Sequence, residues 1–375
     1  MIKEPPTPSV PMACCVPFRR SFGFTGFAFV QRLGVGVEGT VHLVRSPHGA
    51  LSALKVLRRG LDTVSVELLA DEVAALQRLA AGGGSVHVVR PFALLVSPRY
   101  FAIQMEFVAG GTLATFMARR GPRLGEDLAR YFIRQVLIAL AFCHARRVAF
   151  RDLKPENCIL DHGSPPLLKL VDFGVSRQFR KHEGKCQTFV GTPGFMSPGV
   201  LNVAFAPAGA GYDAVSSDIW AAGALLHLML TNTHPFGFDE AWAQDGIAAS
   251  AKLRRVWMTA TNEPIAKFLP QGLSTLAVQA LEQMLGADER CTPGALACLD
   301  MPWMTLPLPP NLERAAEAAV VKQRALEAEA PRRPFVRLGA SKTSPGEWRD
   351  TAVREFVSQV SRHGVQGSAM STLHL

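Results

Sequence analysis

The sequence predicts an α+β fold in which a small antiparallel β-sheet lobe with one helix precedes a larger, mainly helical lobe. Two patterns along the chain carry this prediction. From Phe27 the residues alternate as in short strands around glycine turns, and beyond Gly110 apolar residues recur at helical spacing. The chain has 375 residues, 48% of them hydrophobic, and can therefore bury a sizeable core.

The predicted small lobe is read from four strand-like runs and one helix. The first two strands lie in FAFVQRLGVGVEGTVHLV and SALKVL. A helix follows between Val64 and Leu79, and the glycines at 82–84 stop it. Two further strands are predicted in VHVVRPFALLV and YFAIQMEFV.

The predicted large lobe begins with the amphipathic helix DLARYFIRQVLIALAFCHARR. Residues 1–26 are expected to be a flexible leader, because their first part is rich in proline and lacks periodicity. Residues 312–330 have high helix propensity, and the pattern leaves open whether this helix docks on the domain or stays solvated. The remainder of the 305–375 segment is expected to be a loosely ordered tail.

The net charge of +9 would suit nucleic acid or an anionic membrane as a partner. The basic residues are spread along the chain, however, and residues 305–375 hold ten basic against seven acidic side chains. Because no concentrated Lys/Arg block occurs, we expect neither partner.

The seven cysteines show no metal-ligand spacing, which favours reduced thiols in a cytoplasmic or nuclear protein. The N-terminus has no apolar signal core, and no uninterrupted apolar run approaches the length of a membrane span.

A glycine-rich turn at residues 34–39 has the GxGxxG spacing, with Gly34, Gly36 and Gly39. Alone this spacing is a weak signal, because it also opens Rossmann-type dinucleotide-binding folds. A Rossmann turn leads from a strand into a helix, whereas here residues 40–44 continue as a strand. The context favours a hairpin that closes over phosphates.

Lys55 lies inside the apolar strand SALKVL. A buried lysine without a partner is costly, so it needs an anion, and Glu72 on the following helix and nucleotide phosphates would supply one. A lone lysine of this kind is more often an edge-strand surface residue; its place just after the glycine hairpin favours the buried interpretation.

The most specific signal is FRDLKPEN at residues 150–157, followed by DFG at residues 172–174. On these motifs the chain resembles the protein kinase superfamily over residues 27–304, with 27–108 as small lobe and 109–304 as large lobe. The resemblance implies the bilobal protein-kinase fold and phosphoryl transfer with ATP and Mg²⁺.

The resemblance implies a role for each residue that matches one of the family's motifs. Asp152 would orient or deprotonate the substrate hydroxyl, and Lys154 would stabilise the transferring phosphoryl group. Asn157 and Asp172 would hold Mg²⁺, and Lys55 would grip the α and β phosphates. We expect folding to gather these side chains, with the partner of Lys55, around one triphosphate in a cleft between two lobes.

The resemblance also implies an adenine site. Met105 would be the gatekeeper, and Glu106 to Val108 would form the hinge whose backbone pairs with the base. Apolar walls would come from Val41, Ala53 and Ile159. Each of these residues could equally be ordinary core.

Thr188 lies in the matching activation segment, three residues before GTP at 191–193. Many relatives phosphorylate this position, and Arg151 and Arg177 match the basic residues that receive the phosphate. Phosphorylation of Thr188 is therefore expected to order the segment and raise activity.

Two positions depart from the family pattern. Phe150 replaces a histidine, and an aromatic ring can fill the same packing site. Gly199 replaces a glutamate that normally pairs with the arginine matched by Arg290. A buried arginine left alone would cost ~3 to 5 kcal/mol and loosen the substrate-side loop, unless Arg290 is exposed or paired elsewhere. The run SDIWAAG at 217–223 is interpreted as scaffold remote from the phosphate chemistry.

Lys154 in DLKPEN and Thr192 in GTP resemble the serine/threonine branch of the superfamily. The resemblance is closest to the calcium/calmodulin-dependent group, and within it to SNF-related kinases of plants and algae. Thr112 stands where basophilic relatives place an acidic residue, so a strong preference for upstream arginine is not expected, although Glu156 remains. Protein substrates and an upstream kinase are the expected partners of a monomer.

Two rival functions stay open from the sequence. One is a pseudokinase scaffold that binds partners without phosphotransfer, and the other is a Rossmann-type oxidoreductase. The strand that continues after Gly39 counts against the second.

Overall fold

The computed structural model describes residues 22, 24, 26–36, 39–58, 63–97, 99–179, 185–205, 209–239 and 247–328. The predicted tail from residue 331 and nearly all of the predicted leader lie outside the described residues. The chain divides into two compact units. The first holds the described residues up to Ala80 together with Arg90–Phe107, and the second holds Ala81–Val89 and the described residues from Val108 onward.

The first unit is built on a five-stranded antiparallel sheet. Its strands are β1 (Ala28–Val35), β2 (Thr40–Arg45), β3 (Leu51–Arg58), β4 (Pro91–Val96) and β5 (Tyr100–Glu106), and they lie in the order β1-β2-β3-β5-β4. One helix, α1 (Thr63–Ala80), follows β3 and passes into a short 3₁₀ turn where Gly82 and Gly83 have positive φ. The α+β prediction is confirmed for this unit.

The glycine-rich turn joins β1 to β2 in an antiparallel hairpin. At Gly39 a Cβ atom would lie 2.3 Å from the carbonyl oxygen of Val56, so only glycine fits there. No helix follows the turn, because β2 begins at Thr40 and pairs with β3. The Rossmann interpretation is therefore wrong.

The strand predicted in VHVVRPFALLV is shorter than expected, since β4 begins at Pro91. The residues before it belong to the second unit, where the backbone N–H of Val89 donates to the carbonyl of Leu170 (2.9 Å) and the N–H of Leu170 to that of His87 (2.9 Å). Residues 81–89, which the sequence assigns to the small lobe, thus pack with the second unit.

The second unit is mainly helical. Its helices are α2 (Leu113–Arg120), α3 (Glu126–Ala145), α4 (Pro198–Phe205), α5 (Ala214–Thr231), α6 (Ile247–Asn262), α7 (Thr275–Met284), α8 (Ala295–Leu299) and α9 (Pro310–Ala328). Two short antiparallel pairs lie among them: β6 (Val148–Ala149) with β9 (Arg177–Gln178), and β7 (Cys158–Leu160) with β8 (Leu168–Leu170).

Helices α3 and α5 are long and apolar enough to cross a membrane by length and composition alone. Within the unit, 61% of the apolar 18-residue stretch of α3 and 83% of that of α5 are buried, as in the core helices of many globular domains. Packing in the core therefore accounts for their apolar composition.

Helix α9 covers most of the segment predicted as a helix at 312–330. Its Leu312 and Ala319 are buried, and Ala319 packs with Val86 and Leu167. The Gln323 side chain accepts from the N–H of Val86 (2.9 Å) and donates to the carbonyl of Gly84 (3.2 Å). One side of the helix thus contacts the 81–89 segment.

Candidate active site

Lys55 and Glu72 form a buried ion pair in the first unit. Lys55 Nζ lies 2.9 Å from both carboxylate oxygens of Glu72, and the two residues are only 7% and 1% exposed. The sequence prediction that Lys55 has an anionic partner on the helix after β3 agrees with this geometry. Because each charge compensates the other, the pair can remain ionised in the interior.

Val41 and Ala53 lie beside Lys55 in the sheet. Val41 is paired in register with Lys55 across β2 and β3, and Ala53 with Met105 across β3 and β5. Ala53 and Met105 are buried, and Val41 is half-buried. Val41 and Ala53, two of the predicted adenine walls, and Met105, the predicted gatekeeper, therefore lie within two positions of Lys55 in the register of the sheet.

At the two other glycines of the motif, packing does not demand glycine. Among the described residues, a Cβ at Gly34 would have no atom within 4 Å, and one at Gly36 would lie 3.8 Å from the carbonyl oxygen of Gly39. The backbone N–H of Gly36 donates to that oxygen (2.8 Å). As far as the described residues go, this spacing suits the close approach of a phosphate to the backbone at Gly34 and Gly36.

The predicted hinge residues fall on either side of the boundary between the units: Glu106 is in the first and Val108 in the second. The backbone N–H of Glu106 donates to the carbonyl of Arg90 (2.9 Å), and its side chain accepts from the N–H of Arg90 (2.7 Å). In the second unit, Gly110 donates to the carbonyl of Leu160 (2.8 Å), one residue beyond Ile159 on β7. These bonds hold each end of the hinge in its own unit.

Asp152 is the centre of a side-chain network in the second unit. Thr192 Oγ1 donates to Asp152 Oδ1 (2.7 Å), and Asn157 Nδ2 donates to Asp152 Oδ2 (3.0 Å). Lys154 Nζ lies 2.8 Å from Asp152 Oδ2 and donates to Thr192 Oγ1 (2.9 Å). The catalytic residues predicted for this segment are therefore brought together. Thr192, predicted only as a marker of substrate class, is a member of the network.

Asn157 and Asp172 are the predicted Mg²⁺ ligands. Asn157 uses its amide nitrogen toward Asp152, which orients the amide oxygen as the atom able to bind a metal. Asp172 is exposed and has a positive φ of 65°, an uncommon conformation for a residue other than glycine. Among the described residues no group of three or more His, Cys, Asp or Glu could hold a metal. One carboxylate and one amide fit Mg²⁺, which takes its other ligands from phosphates and water.

Asp218 on α5 holds the backbone just before Asp152. It is fully buried, and its carboxylate accepts from the N–H of Phe150 (2.8 Å), the N–H of Arg151 (2.7 Å) and His144 Nε2 (2.8 Å). These bonds stabilise Arg151 at its positive φ of 69°. The interpretation of 217–223 as scaffold agrees with this anchoring role, whereas the expected remoteness from the chemistry is wrong, because Asp218 bonds the residue that precedes Asp152. An acidic residue inside the apolar run of α5 was the available signal.

Phe150 packs as expected for a residue in place of histidine. Its ring is fully buried and lies edge-on to Phe173 of the DFG motif, with ring centroids 5.0 Å apart. The substitution therefore keeps a packed contact between the two motifs.

Thr188 and Arg151 are in contact. Arg151 Nη1 donates to Thr188 Oγ1 (2.7 Å), while Arg151 Nε donates to the carbonyl of Val175 (2.7 Å). The hydroxyl of Tyr212 donates to the carbonyl of Thr188 (3.1 Å). Arg177 lies in β9, paired with Ala149 on β6. The structure thus places Arg151, one of the two predicted basic residues, in contact with Thr188.

The loosening expected from Gly199 has no basis in the described geometry. The Arg290 side chain is 88% exposed and forms two hydrogen bonds with Asp288, at 2.9 and 2.8 Å. Because Arg290 is both exposed and paired, no buried arginine loses its partner.

The predicted residues therefore form two groups, with Lys55 and Glu72 in the first unit and Asp152, Asn157 and Asp172 in the second. That all five serve one triphosphate stays a prediction.

Comparison with known proteins identifies relatives for this chain. A protein kinase domain model matches residues 27–304. The chain is 30% identical to the serine/threonine-protein kinase SRK2B of Arabidopsis thaliana, over 79% of this chain and 76% of the relative. It is 34% identical to the serine/threonine-protein kinase SAPK7 of Oryza sativa subsp. japonica (56% of this chain, 55% of the relative). It is 35% identical to the CBL-interacting protein kinase 20 of the same rice (59% and 45%).

The matched region spans about half the length of the two rice relatives, and about three quarters of the Arabidopsis one. The family model itself covers well over half of the chain and includes both groups of predicted site residues. On that match, the chain belongs to the protein kinase family.

Proposed function

We propose that the chain transfers the γ-phosphate of ATP to serine and threonine hydroxyls of protein substrates. The observation that carries this proposal is the network around Asp152, whose two carboxylate oxygens are held by Thr192, Lys154 and Asn157. A carboxylate fixed in this way can accept or orient the hydroxyl of a substrate. Lys154, already within reach of Asp152, stabilises charge on the phosphoryl group during transfer.

Lys55 binds the α and β phosphates, with Glu72 keeping its ammonium group in place. The glycine-rich hairpin covers the phosphates, and Asn157 and Asp172 hold Mg²⁺, which neutralises charge on the nucleotide. The family uses ATP and Mg²⁺ in general; these assignments to individual residues are our proposal.

A phosphotransfer assay on the purified chain tests this function. With ATP, Mg²⁺ and a generic protein substrate, the wild type should transfer phosphate, and Asp172→Asn should abolish transfer. Asp300→Asn is a matched control, because Asp300 is an exposed aspartate after α8. A wild type that binds ATP without transferring phosphate would contradict the proposal and favour a pseudokinase scaffold.

We place the chain among the SNF-related kinases of the calcium/calmodulin-dependent group. The names of the relatives support this placement, since they are plant kinases of the SRK2, SAPK and CBL-interacting types. Thr112 caps α2 by accepting from the N–H of Thr115 (3.1 Å), a role that offers no carboxylate to an upstream arginine. Substrates without a basic residue upstream of the acceptor should therefore be used well.

Phosphorylation of Thr188 by an upstream kinase raises activity. The contact between Arg151 and the Thr188 hydroxyl supports this proposal, because a phosphate there would form charge-assisted bonds with the same guanidinium group. Dephosphorylated wild type and Thr188→Ala should both be less active than phosphorylated wild type. Equal turnover by all three proteins would contradict this regulation.

The chain acts as a monomer in the cytoplasm or nucleus and takes neither nucleic acid nor a membrane as partner. The scattered basic residues and the burial of α3 and α5 in the core support the exclusion of nucleic acid and membrane as partners. Sedimentation of the purified chain as a dimer would contradict the proposed monomeric state.

A further inference from the structure

Glu289 occupies the space that a side chain at position 199 would need. A Cβ atom added at Gly199 would lie 1.7 Å from Glu289 Oε1 and 2.9 Å from the Cβ of Tyr212. A carboxylate from the loop between α7 and α8 therefore lies against position 199, to which the resemblance assigns the glutamate of the family's Ala-Pro-Glu motif. Glycine at position 199 is what admits it.

The Glu289 carboxylate joins two parts of the second unit. Its Oε2 atom accepts from the backbone N–H of Asp213 (3.1 Å) and lies 3.4 Å from Lys185 Nζ. Its own carbonyl accepts from Ser216 Oγ (3.2 Å). Asp213 is the N-cap of α5, and Lys185 belongs to the segment that leads to Thr188. Glu289 is thus bonded both to the start of α5 and to that segment.

These contacts continue to the Asp152 side of the unit. Next to Lys185, Cys186 exchanges two backbone hydrogen bonds with Tyr212, at 2.8 and 2.9 Å. The Tyr212 hydroxyl donates to the carbonyl of Thr188, and Arg151 donates to the Thr188 side chain. These hydrogen bonds therefore connect Glu289 to Arg151, the residue that precedes Asp152.

Arg290 does not take part in this arrangement, because its guanidinium group is exposed and bonded to Asp288. Arg290, which the resemblance matches to the arginine of the family's ion pair, therefore lies at the surface. The carboxylate of the neighbouring Glu289 lies against Gly199 instead.

We propose that Glu289 is a positioning residue that replaces the carboxylate missing at Gly199 and holds the 185–188 segment in place for turnover of protein substrates. The inference rests on the proposed protein kinase function. Most of its effect comes from the bond to the Asp213 backbone, because the Lys185 side chain is 65% exposed and ion pairs that reach into solvent contribute little.

A double-mutant cycle on Gly199 and Glu289 tests the proposal. The variants are Gly199→Ala, Glu289→Ala and the double variant, with Glu282→Ala, an exposed glutamate on α7, as control. Each single variant should lower kcat/KM for a protein substrate by about tenfold or more. In the Glu289→Ala background the cost of Gly199→Ala should be at least about threefold smaller than in the wild type, because the contact with the carboxylate is gone while the contact with the Tyr212 Cβ, 2.9 Å away, remains. The loss should lie largely in a raised KM for the protein substrate, while the KM for ATP stays within about twofold in every variant. A smaller folded fraction would instead lower kcat and leave both KM values unchanged.

Independent, additive effects of the two substitutions would overturn the proposal, as would full activity of Glu289→Ala. An equal rise in the KM for ATP and in the KM for the protein substrate would also overturn it. Should Gly199→Ala fail to fold, the double variant and Glu289→Ala still decide, because recovery of folding in the double variant shows that the added methyl group competes with the carboxylate. Failure of the wild type to transfer phosphate would instead contradict the proposed function, so the two failures are distinct.

Discussion

At the scale of single residues, the arrangement around Asp152 depends on hydrogen bonds from three different places in the chain. Thr192 comes from the segment before α4, Lys154 from the loop after β6, and Asn157 from the 3₁₀ turn before β7. One hydroxyl both donates to Asp152 and accepts from Lys154, which fixes the distance between the two charged groups.

Replacing that hydroxyl should slow catalysis. Thr192→Val removes the hydrogen bonds of this hydroxyl with Asp152 and Lys154. A hydrogen bond to a charged group contributes about 1.5 to 3 kcal/mol, so kcat should fall by about 10- to 100-fold. Thr192→Ser keeps the hydroxyl and should retain most of the activity. Steady-state kinetics with a protein substrate measures both, and equal rates for the valine variant and wild type would contradict the role given to Thr192.

At the scale of elements, α5 provides an anchor for the loop that carries Asp152. Its buried Asp218 satisfies two backbone N–H groups that no helix or sheet would otherwise use. The positive φ of Arg151 is stabilised by these bonds, so helix and loop depend on each other.

Asp218→Asn should disturb both stability and activity. An amide presents only one oxygen, so at least one buried N–H would face another donor, at a cost of about 1 to 3 kcal/mol in the free energy of unfolding. We expect a lower denaturation midpoint and a lower kcat than in Asp300→Asn, whose aspartate is exposed. A variant with wild-type stability and rate would show that the anchor is dispensable.

Helix α9 should protect the segment at 81–89. In Gln323→Ala the N–H of Val86 loses the acceptor that lies 2.9 Å away, and the carbonyl of Gly84 loses its donor. We expect faster amide hydrogen exchange at residues 84–86, corresponding to about 1 to 2 kcal/mol of lost protection. Val321→Ala is the control, because Val321 on the same helix is exposed. Unchanged exchange in the glutamine variant would mean that α9 does not stabilise this segment.

At the scale of the whole molecule, the sequence predicts most of the fold and of the residues brought together around Asp152. The spacing of apolar residues and the positions of glycines predict the hairpin and α1, because both signals lie within short stretches of sequence. Local patterns do not show that residues 81–89 pack with the helical unit, since their partners, Leu168 and Leu170, are distant in sequence. Thr192, Asp218 and Glu289 are missed for the same reason: each acts through a contact across many residues.

Buried His87 makes the stability of the second unit depend on pH. Its Nδ1–H donates to the carbonyl of Leu168 (2.8 Å), and burial lowers its pKa from 6.5 to about 4. Between these values the unfolded chain binds the proton and the folded chain does not, so stability falls as the pH drops from about 6.5 to 4 and levels off below. The contribution of this one group is about 3 kcal/mol.

Chemical denaturation at several pH values measures this dependence. His87→Gln keeps a donor for Leu168 but cannot titrate, so its stability should vary less between pH 6.5 and 4. His162→Gln, at an exposed histidine, should keep the wild-type dependence. Identical slopes for wild type and His87→Gln would contradict the assignment.

Transfer of phosphate in a single turnover, with and without Asp152→Asn, tests the central claim most directly. Wild type with ATP and Mg²⁺ should yield phosphoserine or phosphothreonine on a protein substrate. Asp152→Asn should slow the transfer by about 100-fold or more while nucleotide affinity stays within about twofold. Wild-type rates in Asp152→Asn, or phosphate found on tyrosine alone, would contradict the account.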